Sequence, residues 1–351
     1  MTTVPSQEKS YGDLQGETVL VFLEQRAGSW NRMSFEALAA GQQLAATLGT
    51  TCSAAVLGTG PSLSTLAVEL AAKQLERVYA VDHALLEPYT ADGYVHALQQ
   101  LIEHAAPAFV LLPHTYQVRD FAPALATRLR QVLISDVIAI HVGVGEGSGP
   151  VFVRQLLQGK LNADYRPTSD SGPAFISIQA GSYRADAVLS GAAGTTTIIE
   201  PFSPQLTPSQ LRSQPGEPFR QSAQTVDLSA APVIVSVGRG IGEQENIPLV
   251  EELAKALGAE LAASRPICDN GWLPMERQVG SSGQTVSPKL YLAVGISGAI
   301  QHLVGMKGSK SVIAINKDEN APIFEVADYG VVGDMFEIVP ELTKAILAAK
   351  S

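Results

Sequence analysis

LYLAVGISGAIQHLVGM, Leu290–Met306, is a short apolar run that passes through Gly295 and Gly298 into helical periodicity. A buried strand, a glycine turn and a helix in so few residues make the opening of a βα unit. The same pattern stands upstream in VIVSVGRGIG, Val233–Gly242, which leads into a helix with Ile247, Val250, Leu253, Ala254 and Leu257 on one face. Further strands are expected at Val312–Asn316 and Tyr329–Val332, and a closing helix over about 340–349. Strands alternating with helices predict a mainly parallel sheet with right-handed crossovers.

The first half repeats this logic. TVLVFLE (Thr18–Glu24), CSAAVLG (Cys52–Gly58), RVYAVD (Arg77–Asp82) and PAFVLLP (Pro107–Pro113) are predicted strands. Helical stretches at Ser34–Leu48, Ser62–Leu75 and Ala91–Ala105 separate them. After Gly143–Gly149 the segments VFVRQLLQGKLNADYR and PAFISIQAGSYRADAV lack helical spacing and are expected as extended or antiparallel strands at the sheet edge. Residues 201–232 hold six prolines with many Ser and Gln, the composition of a linker. The expectation is therefore α/β in two domains: an N-terminal extension 1–17, domain I over 18–200, a linker over 201–232 and domain II over 233–351. No repeat period of a solenoid is visible.

Composition narrows the function. With 351 residues, 46% of them hydrophobic and 17% charged, there is material for a packed core. The net charge of −10 argues against a general nucleic-acid binder, whose footprint is basic. Cys52 and Cys268 are the two cysteines and no C-x-x-C occurs, so neither a disulfide framework nor a thiolate metal site is expected. The first residues lack a basic-then-apolar leader and no apolar run is long enough to span a bilayer. The expected location is the cytoplasm, without membrane insertion.

Several short motifs carry chemistry, each beside a plainer alternative. Glycines 238, 240 and 242 are not a G-x-G-x-x-G and on their own make a tight turn; Arg239 among them adds a planar, always-charged phosphate donor. In ASRP, Pro266 is expected to hold Arg265 extended at a strand end, where it is either a surface residue or a cation over a ligand. QVGSSGQTVSP (Gln278–Pro288) is a flexible loop or a row of hydroxyl and amide donors. Ser297 suits an N-cap for the helix behind it, and His302 is either a satisfied helical histidine or a ligand contact. A G-x-S-x-G nucleophile elbow is excluded, because the final glycine is Ala299 and His302 is too near in sequence to be its base. The other histidines (83, 96, 104, 114, 141) show no ligand spacing; they are expected to be structural or at the surface, with no metal site. Arg239, Arg265, Ser297 and Asn316 all fall after predicted strands. Ligands of open parallel sheets bind beyond the carboxyl ends of the strands, so these loops converge on one large anionic ligand such as a dinucleotide, with Asn316 or Asp334 available to a ribose hydroxyl.

The stretch LYLAVGISGAIQHLVGMKGSKSVIAINKDENAPIFEVADYGVVGD, preceded by SVGRGIG, ASRP, GWLP and QVG, resembles the alpha subunit of electron transfer flavoproteins. The resemblance spans Val233 to about Ile338; the first half resembles that family in layout and length. It implies a nucleotide-hydrolase-like first domain facing a partner and a Rossmann-like FAD-binding second domain. It also implies a heterodimer with a beta subunit that carries electrons from acyl-CoA-type or other dehydrogenases to a quinone oxidoreductase or another acceptor, with no substrate of its own and no catalytic residue. By that resemblance Arg239, Ser264 and Ser297 would meet the FAD diphosphate or linker, and Arg265 would lie against the isoalloxazine. Ser282 would stand near flavin N5, Gln301 and His302 would reach the ribityl chain and the O2/N1 end of the ring, and Asn316 and Asp334 would hold the AMP portion. Val279, Gly280, Ser281, Gly295, Gly298, Ala299 and Ile300 complete the implied contacts.

Two departures from the family pattern stand out: Ser281–Ser282 where a Gln–Thr pair is usual, and PICDN in place of a Val/Ala–Asp–Ala run, which sets Cys268 near the loop. The resemblance leaves open an electron-bifurcating variant with a second FAD in the beta subunit and NADH as donor. The scaffold alone would also suit a nucleotide-dependent enzyme, although no separate acid/base constellation is present. Arg265 and His302 are expected to stabilise negative charge on the reduced flavin. One full charge about 4 Å away contributes ~4 kcal/mol at an effective dielectric of 20, on the order of 170 mV in a one-electron couple.

Overall fold

The computed structural model describes residues 19–142, 149–157, 160–167, 172–192, 197–216, 228 and 231–350. The expected N-terminal extension and the glycine-rich 143–148 lie outside them. The molecule divides into two compact units, one of Met1–Leu156 with Asn162–Pro218, the other of Leu157–Leu161 with Phe219–Ser351.

The first unit is a nine-stranded sheet. Its strands are β1 (Val19–Leu23), β4 (Cys52–Gly58), β5 (Arg77–Asp82), β6 (Phe109–Pro113), β7 (Leu133–Val142), β8 (Pro150–Leu156), β9 (Leu161–Tyr165), β10 (Ala174–Ile178) and β11 (Ile198–Phe202). A two-stranded ribbon, β2 (Gln25–Arg26) with β3 (Ser29–Trp30), follows β1. The sheet order is β11-β5-β4-β1-β6-β10-β7-β8-β9. Pairings from β11 across to β7 are parallel, and β8 turns back antiparallel to β7. Helices α1 (Met33–Leu48), α2 (Gly60–Ala71), α3 (Ala91–Ala105) and α4 (Tyr116–Arg128) cover its faces, α1 and α2 over one apolar cluster and α3 and α4 over the other. Val19, Val21 and Leu23 serve the first cluster and Leu20 and Phe22 the second. An unbroken apolar run is what a strand covered on both faces needs.

Two expectations need correction here. PAFISI is not an edge strand: β10 lies inside the sheet, parallel to β6 on one side and to β7 on the other. Ala174, Phe175, Ile176 and Ile178 are all buried, and so is Ser177 among them, so both faces of the strand are covered as an interior strand requires. Residues 201–216 are not free of the first unit. β11 includes Pro201 and Phe202, Leu206 is buried, and Arg212 makes a forked ion pair with Asp92. Pro201 is tolerated because β11 is an edge strand, where one side of the backbone needs no partner.

The second unit is a five-stranded, wholly parallel sheet: β12 (Val233–Val237), β13 (Glu260–Ala263), β14 (Leu290–Val294), β15 (Val312–Asn316) and β16 (Tyr329–Val332), in the order β13-β12-β14-β15-β16. Counted within the unit this is 2-1-3-4-5, the flavodoxin-type order of doubly wound sheets. α5 (Ile247–Leu257), α6 (Arg265–Asp269) and α8 (Met335–Lys350) pack on one face with Val235, Val237, Leu292, Val294 and Ile315. α7 (Ile300–Met306) and the segments around Val279, Val286 and Ile323 pack on the other with Ile234, Tyr291, Ala293 and Ala314. α8 begins well before the expected residue 340. Pro340 lies inside the helix, but Asp334 starts it, its Oδ1 accepting from Phe336 N–H at 2.9 Å.

Candidate functional site

Where a doubly wound sheet reverses its winding, the loops leaving the two central strands part and open a crevice. In the second unit that point lies between β12 and β14. Gly238 follows β12 and Gly295 follows β14, and they are stitched together: Gly238 N–H donates to Val294 O at 2.8 Å and Gly240 N–H to Gly295 O at 3.0 Å. A Cβ on Gly238 would lie 2.3 Å from Gly295 O, so no side chain fits there. With this bracket closed, Arg239 and Ser297 are both pushed out into solvent at the strand ends.

The neighbouring strand ends join the same edge. Ser264 N–H donates to Val237 O, Gly295 N–H to Ile315 O and Gly333 N–H to Asn316 O. Asn316 braces the row with its side chain, Nδ2 donating to Ile296 O at 2.8 Å while Oδ1 accepts from Asp318 N–H at 3.0 Å. Gly298 takes φ +86°, and a Cβ there would meet Ile323 N at 2.2 Å. It lets the segment before α7 cross the Pro322–Ile323 turn, whose N–H donates to Ser297 O.

The Gln278–Gln284 loop, which follows α6, docks against the end of β13. Val279 N–H donates to Ala263 O at 2.9 Å, and Ser281 N–H to Gln301 O at 2.7 Å. Gln278 Nε2 holds Ser282 Oγ at 2.9 Å, and its Oε1 is buried with no partner. Ser281 and Ser282 stand exposed beside the start of α7, with exposed Ile300 and Gln301 and buried His302. Thus Arg239, Ser264, Arg265, Val279, Gly280, Ser281, Ser282, Gly295, Ser297, Gly298, Ala299, Ile300, Gln301, His302, Asn316 and Asp334 lie at one edge of one sheet.

Local details differ from expectation. Ser297 does not cap α7; the cap position is Ala299, so the Ser297 hydroxyl is left outward. Arg265 is not extended. It opens α6, with Pro266 in the first turn, where a missing N–H costs nothing; its Nε pairs with Asp269 Oδ2 at 3.2 Å across one exposed turn. Asn316 and Asp334 spend their side chains on the loop row and on α8. Cys268 is a core thiol whose Sγ approaches Pro274 O at 3.6 Å, and burial with nearby Asp269 and Glu276 pushes it up to about 11. It is a poor nucleophile.

His302 is the one strongly perturbed base of this edge. Its Nε2 lies 2.9 Å from Tyr291 Oη, and Nδ1 is buried with no partner in hydrogen-bond geometry. Burial lowers its pKa to about 4; the Val279 backbone acts in the opposite direction without reaching a normal bond. The ring is therefore neutral near pH 7, and the cation expected there is Arg265 alone. No motif in the sequence marks Tyr291. Its partner is eleven positions away on another element, and only the inward alternation of β14 could have marked it.

Two depressions of about 240 and 480 Å³ lie against α1 in the first unit and border none of these loops. Among the described residues no group of three or more His, Cys, Asp or Glu could hold a metal ion, and no helix is long and apolar enough to cross a membrane.

A switch point of this kind, with exposed cations and hydroxyls above it, suits a nucleotide-cofactor-binding α/β protein. Sequence comparison narrows the class. Residues 19–202 match the electron transfer flavoprotein domain and residues 227–307 the electron transfer flavoprotein FAD-binding domain. An electron transfer flavoprotein subunit alpha of Bacillus subtilis is 39% identical, with 94% of this chain and 97% of the relative covered. Protein FixB of Clostridium saccharobutylicum is 36% identical, covering 95% and 98%, and the subunit alpha of Mycobacterium leprae is 36% identical, covering 94% and 98%. The chain belongs to the electron transfer flavoprotein alpha-subunit family, and its cofactor is FAD. The site fits that group: a side-chain-free bracket at the switch point, two exposed guanidinium groups, exposed serines and an unpartnered buried imidazole nitrogen.

Proposed function

We propose that FAD lies along the carboxyl edge of the five-stranded sheet, and that the chain works as the alpha half of a heterodimer with an electron transfer flavoprotein beta subunit. FAD supplies the capacity to take up and release electrons singly or in pairs. The protein's part is to hold the cofactor and set its electrostatics. Arg239, Ser264 and Ser297 would hold the diphosphate and linker, where a guanidinium and hydroxyls meet phosphate oxygens by charge-assisted hydrogen bonds. Arg265 would neutralise charge on the isoalloxazine, with Ser281, Ser282, Val279 and Gly280 along its edge. Gln301 and His302 would meet the ribityl chain and the pyrimidine end of the ring, His302 as a neutral group. Asn316 and Asp334 would shape the AMP end through the backbone they brace. Electrons would come from acyl-CoA-type or other dehydrogenases and leave to a quinone oxidoreductase or another acceptor.

The observation that carries this reading is the strand order. It sets the β12/β14 switch point directly beneath Arg239 and Ser297. Co-expression with a beta subunit, followed by counting FAD and AMP per heterodimer, tests it. The expected product is yellow, with one FAD and one AMP, and is reduced only when a dehydrogenase and its substrate are added. A colourless heterodimer would overturn the reading, and two FAD without AMP would point to the bifurcating type.

A further inference from the structure

On the α7 face of the second sheet a short polar track runs through aliphatic surroundings. Ile234 stands opposite Tyr291 in the β12–β14 register, and Ser236 lies two residues further along β12, so both strands turn polar groups to the same face. Tyr291 is wholly buried, its hydroxyl is 2.9 Å from His302 Nε2, and the two rings meet edge-on with centroids 6.1 Å apart. Ser236 Oγ and His302 Nδ1 are buried without partners in hydrogen-bond geometry.

A neutral imidazole carries one N–H and one bare nitrogen, and the hydrogen bond at one nitrogen decides the state of the other. Burial pushes the Tyr291 phenol up, so it keeps its proton and has one hydrogen to give. If Nε2–H donated to Oη, the phenol hydrogen would be left with Ser236 Oγ, which is out of bonding geometry. Bare Nδ1 would then be buried beside a backbone that favours a protonated ring. Such a lone pair would be uncompensated. With the roles reversed, Oη donates to bare Nε2 and the hydrogen sits on Nδ1.

We propose that Tyr291 is a positioning residue for the cofactor site: its hydroxyl donates to His302 Nε2 and fixes the ring as the neutral Nδ1–H tautomer. His302 then turns its N–H toward the Val279 backbone and presents the cofactor site with a neutral ring held in one orientation. This rests on the FAD reading for the ligand, while the tautomer belongs to the chain itself. Imidazole nitrogen NMR of the FAD-loaded heterodimer with ¹⁵N-labelled histidine reads it directly, His302 being assigned by its absence in His302→Gln. The expected wild-type spectrum shows His302 with Nδ1 protonated and Nε2 bare. In Tyr291→Phe, with FAD still bound, that preference is lost and both tautomers appear. An Nε2–H tautomer in the wild type overturns the proposal, and this arm stands even where the variant fails to fold. An unchanged Nδ1–H tautomer in Tyr291→Phe overturns the role of the hydroxyl. A heterodimer without FAD, but with the Nδ1–H signal, would sink the cofactor reading and leave the Tyr291–His302 bond standing.

Discussion

At the carboxyl edge of the first sheet, Glu24 closes β1 and is buried. It accepts from Thr115 Oγ1 and, at 3.0 Å, from Asn31 Nδ2. His114, just after β6, turns Nδ1 to Ser177 Oγ at 2.8 Å, and Gln25 reaches Leu57 O across the end of β4. At the same edge of the second sheet, Arg239, Ser281, Ser282 and Ser297 are exposed and the bonds between loops are made almost wholly by backbone. Both are mainly parallel sheets wrapped by helices, yet one ties its edge together with buried side chains and the other leaves Arg239, Ser281 and Ser297 exposed at its strand ends. A fold of this type supplies an edge; whether the edge is a site depends on the side chains placed there.

The largest effect on folding should come from Gly298→Ala. A methyl group would strike the Ile323 backbone at 2.2 Å and would also have to adopt φ +86°. Overpacking of about 1–3 kcal/mol adds to about 1–2 kcal/mol for the left-handed backbone, and the segment between β14 and α7 should lose its grip on FAD. Gly49→Ala in the first unit is the control: its φ is +67° but nothing lies within 4 Å, so only the backbone cost of about 1–2 kcal/mol remains and FAD stays bound. Thermal unfolding and the flavin-to-protein absorbance ratio report both. Equal flavin loss in the two variants would remove the contrast between the edges.

Acid should separate the units next. His302 has a folded pKa of about 4 against 6.5 for the free side chain, so the unfolded chain binds the proton more readily. Its stabilisation is complete above pH 6.5 and is lost as pH falls from there toward 4, about 3 kcal/mol in all. His114 in the first unit is also lowered by burial, but Asp136 opposes the shift. Denaturant unfolding at pH 7.5 and 4.5 should therefore show a smaller acid loss in His302→Gln than in the wild type, by about 2–3 kcal/mol. An equal loss would mean that other groups carry the acid sensitivity.

Thr115→Ala strikes the filled edge. Thr115 caps α4 by accepting from Val118 N–H at 3.1 Å and also serves Glu24. Losing a cap costs about 1 kcal/mol, and a buried acceptor losing one of its partners adds about 1 kcal/mol. Stability should drop, while FAD content and affinity in the heterodimer stay unchanged. A parallel loss of FAD would show that the first edge contributes to the site after all.

Strand identity was legible wherever an apolar run is bounded by glycine, proline or charge: Cys52–Gly58, Arg77–Asp82 and Leu290–Val294 begin and end as read from the chain. Strand order was not, because parallel neighbours meet through crossovers that leave no mark on local pattern. β10 lies inside the sheet rather than at its edge, and Ser177 within AFISI leaves a pattern that fits either place. The site loops were legible as strand ends, but not the state of the groups in them. Ser297 has the chemistry of a cap, yet Gly298 delays the helix until Ile300. Asn316 has the chemistry of a ribose contact, yet both ends of its amide are tied to backbone. His302 has the chemistry of a cation, yet burial in the surrounding core keeps it neutral. Each difference arises from long-range burial.

The smallest effect on folding belongs to the most informative substitution. Arg265 pairs with Asp269 on one turn of α6, both side chains more than half exposed, and such pairs contribute 0–1 kcal/mol at most. Arg265→Ala should therefore leave unfolding unchanged within about 0.5 kcal/mol. If the open edge is a site, the same change removes a charge-assisted contact of about 1.5–3 kcal/mol, so FAD should dissociate roughly tenfold or more faster from the heterodimer. Arg184→Ala in the first unit breaks an ion pair with Asp186 whose two side chains are likewise more than half exposed, and should change neither. Flavin release followed by fluorescence on dilution distinguishes the two arginines. Identical release rates would mean that the exposed guanidinium of α6 is a surface charge like any other, and that FAD is held by the backbone bracket of Gly238 and Gly295 instead.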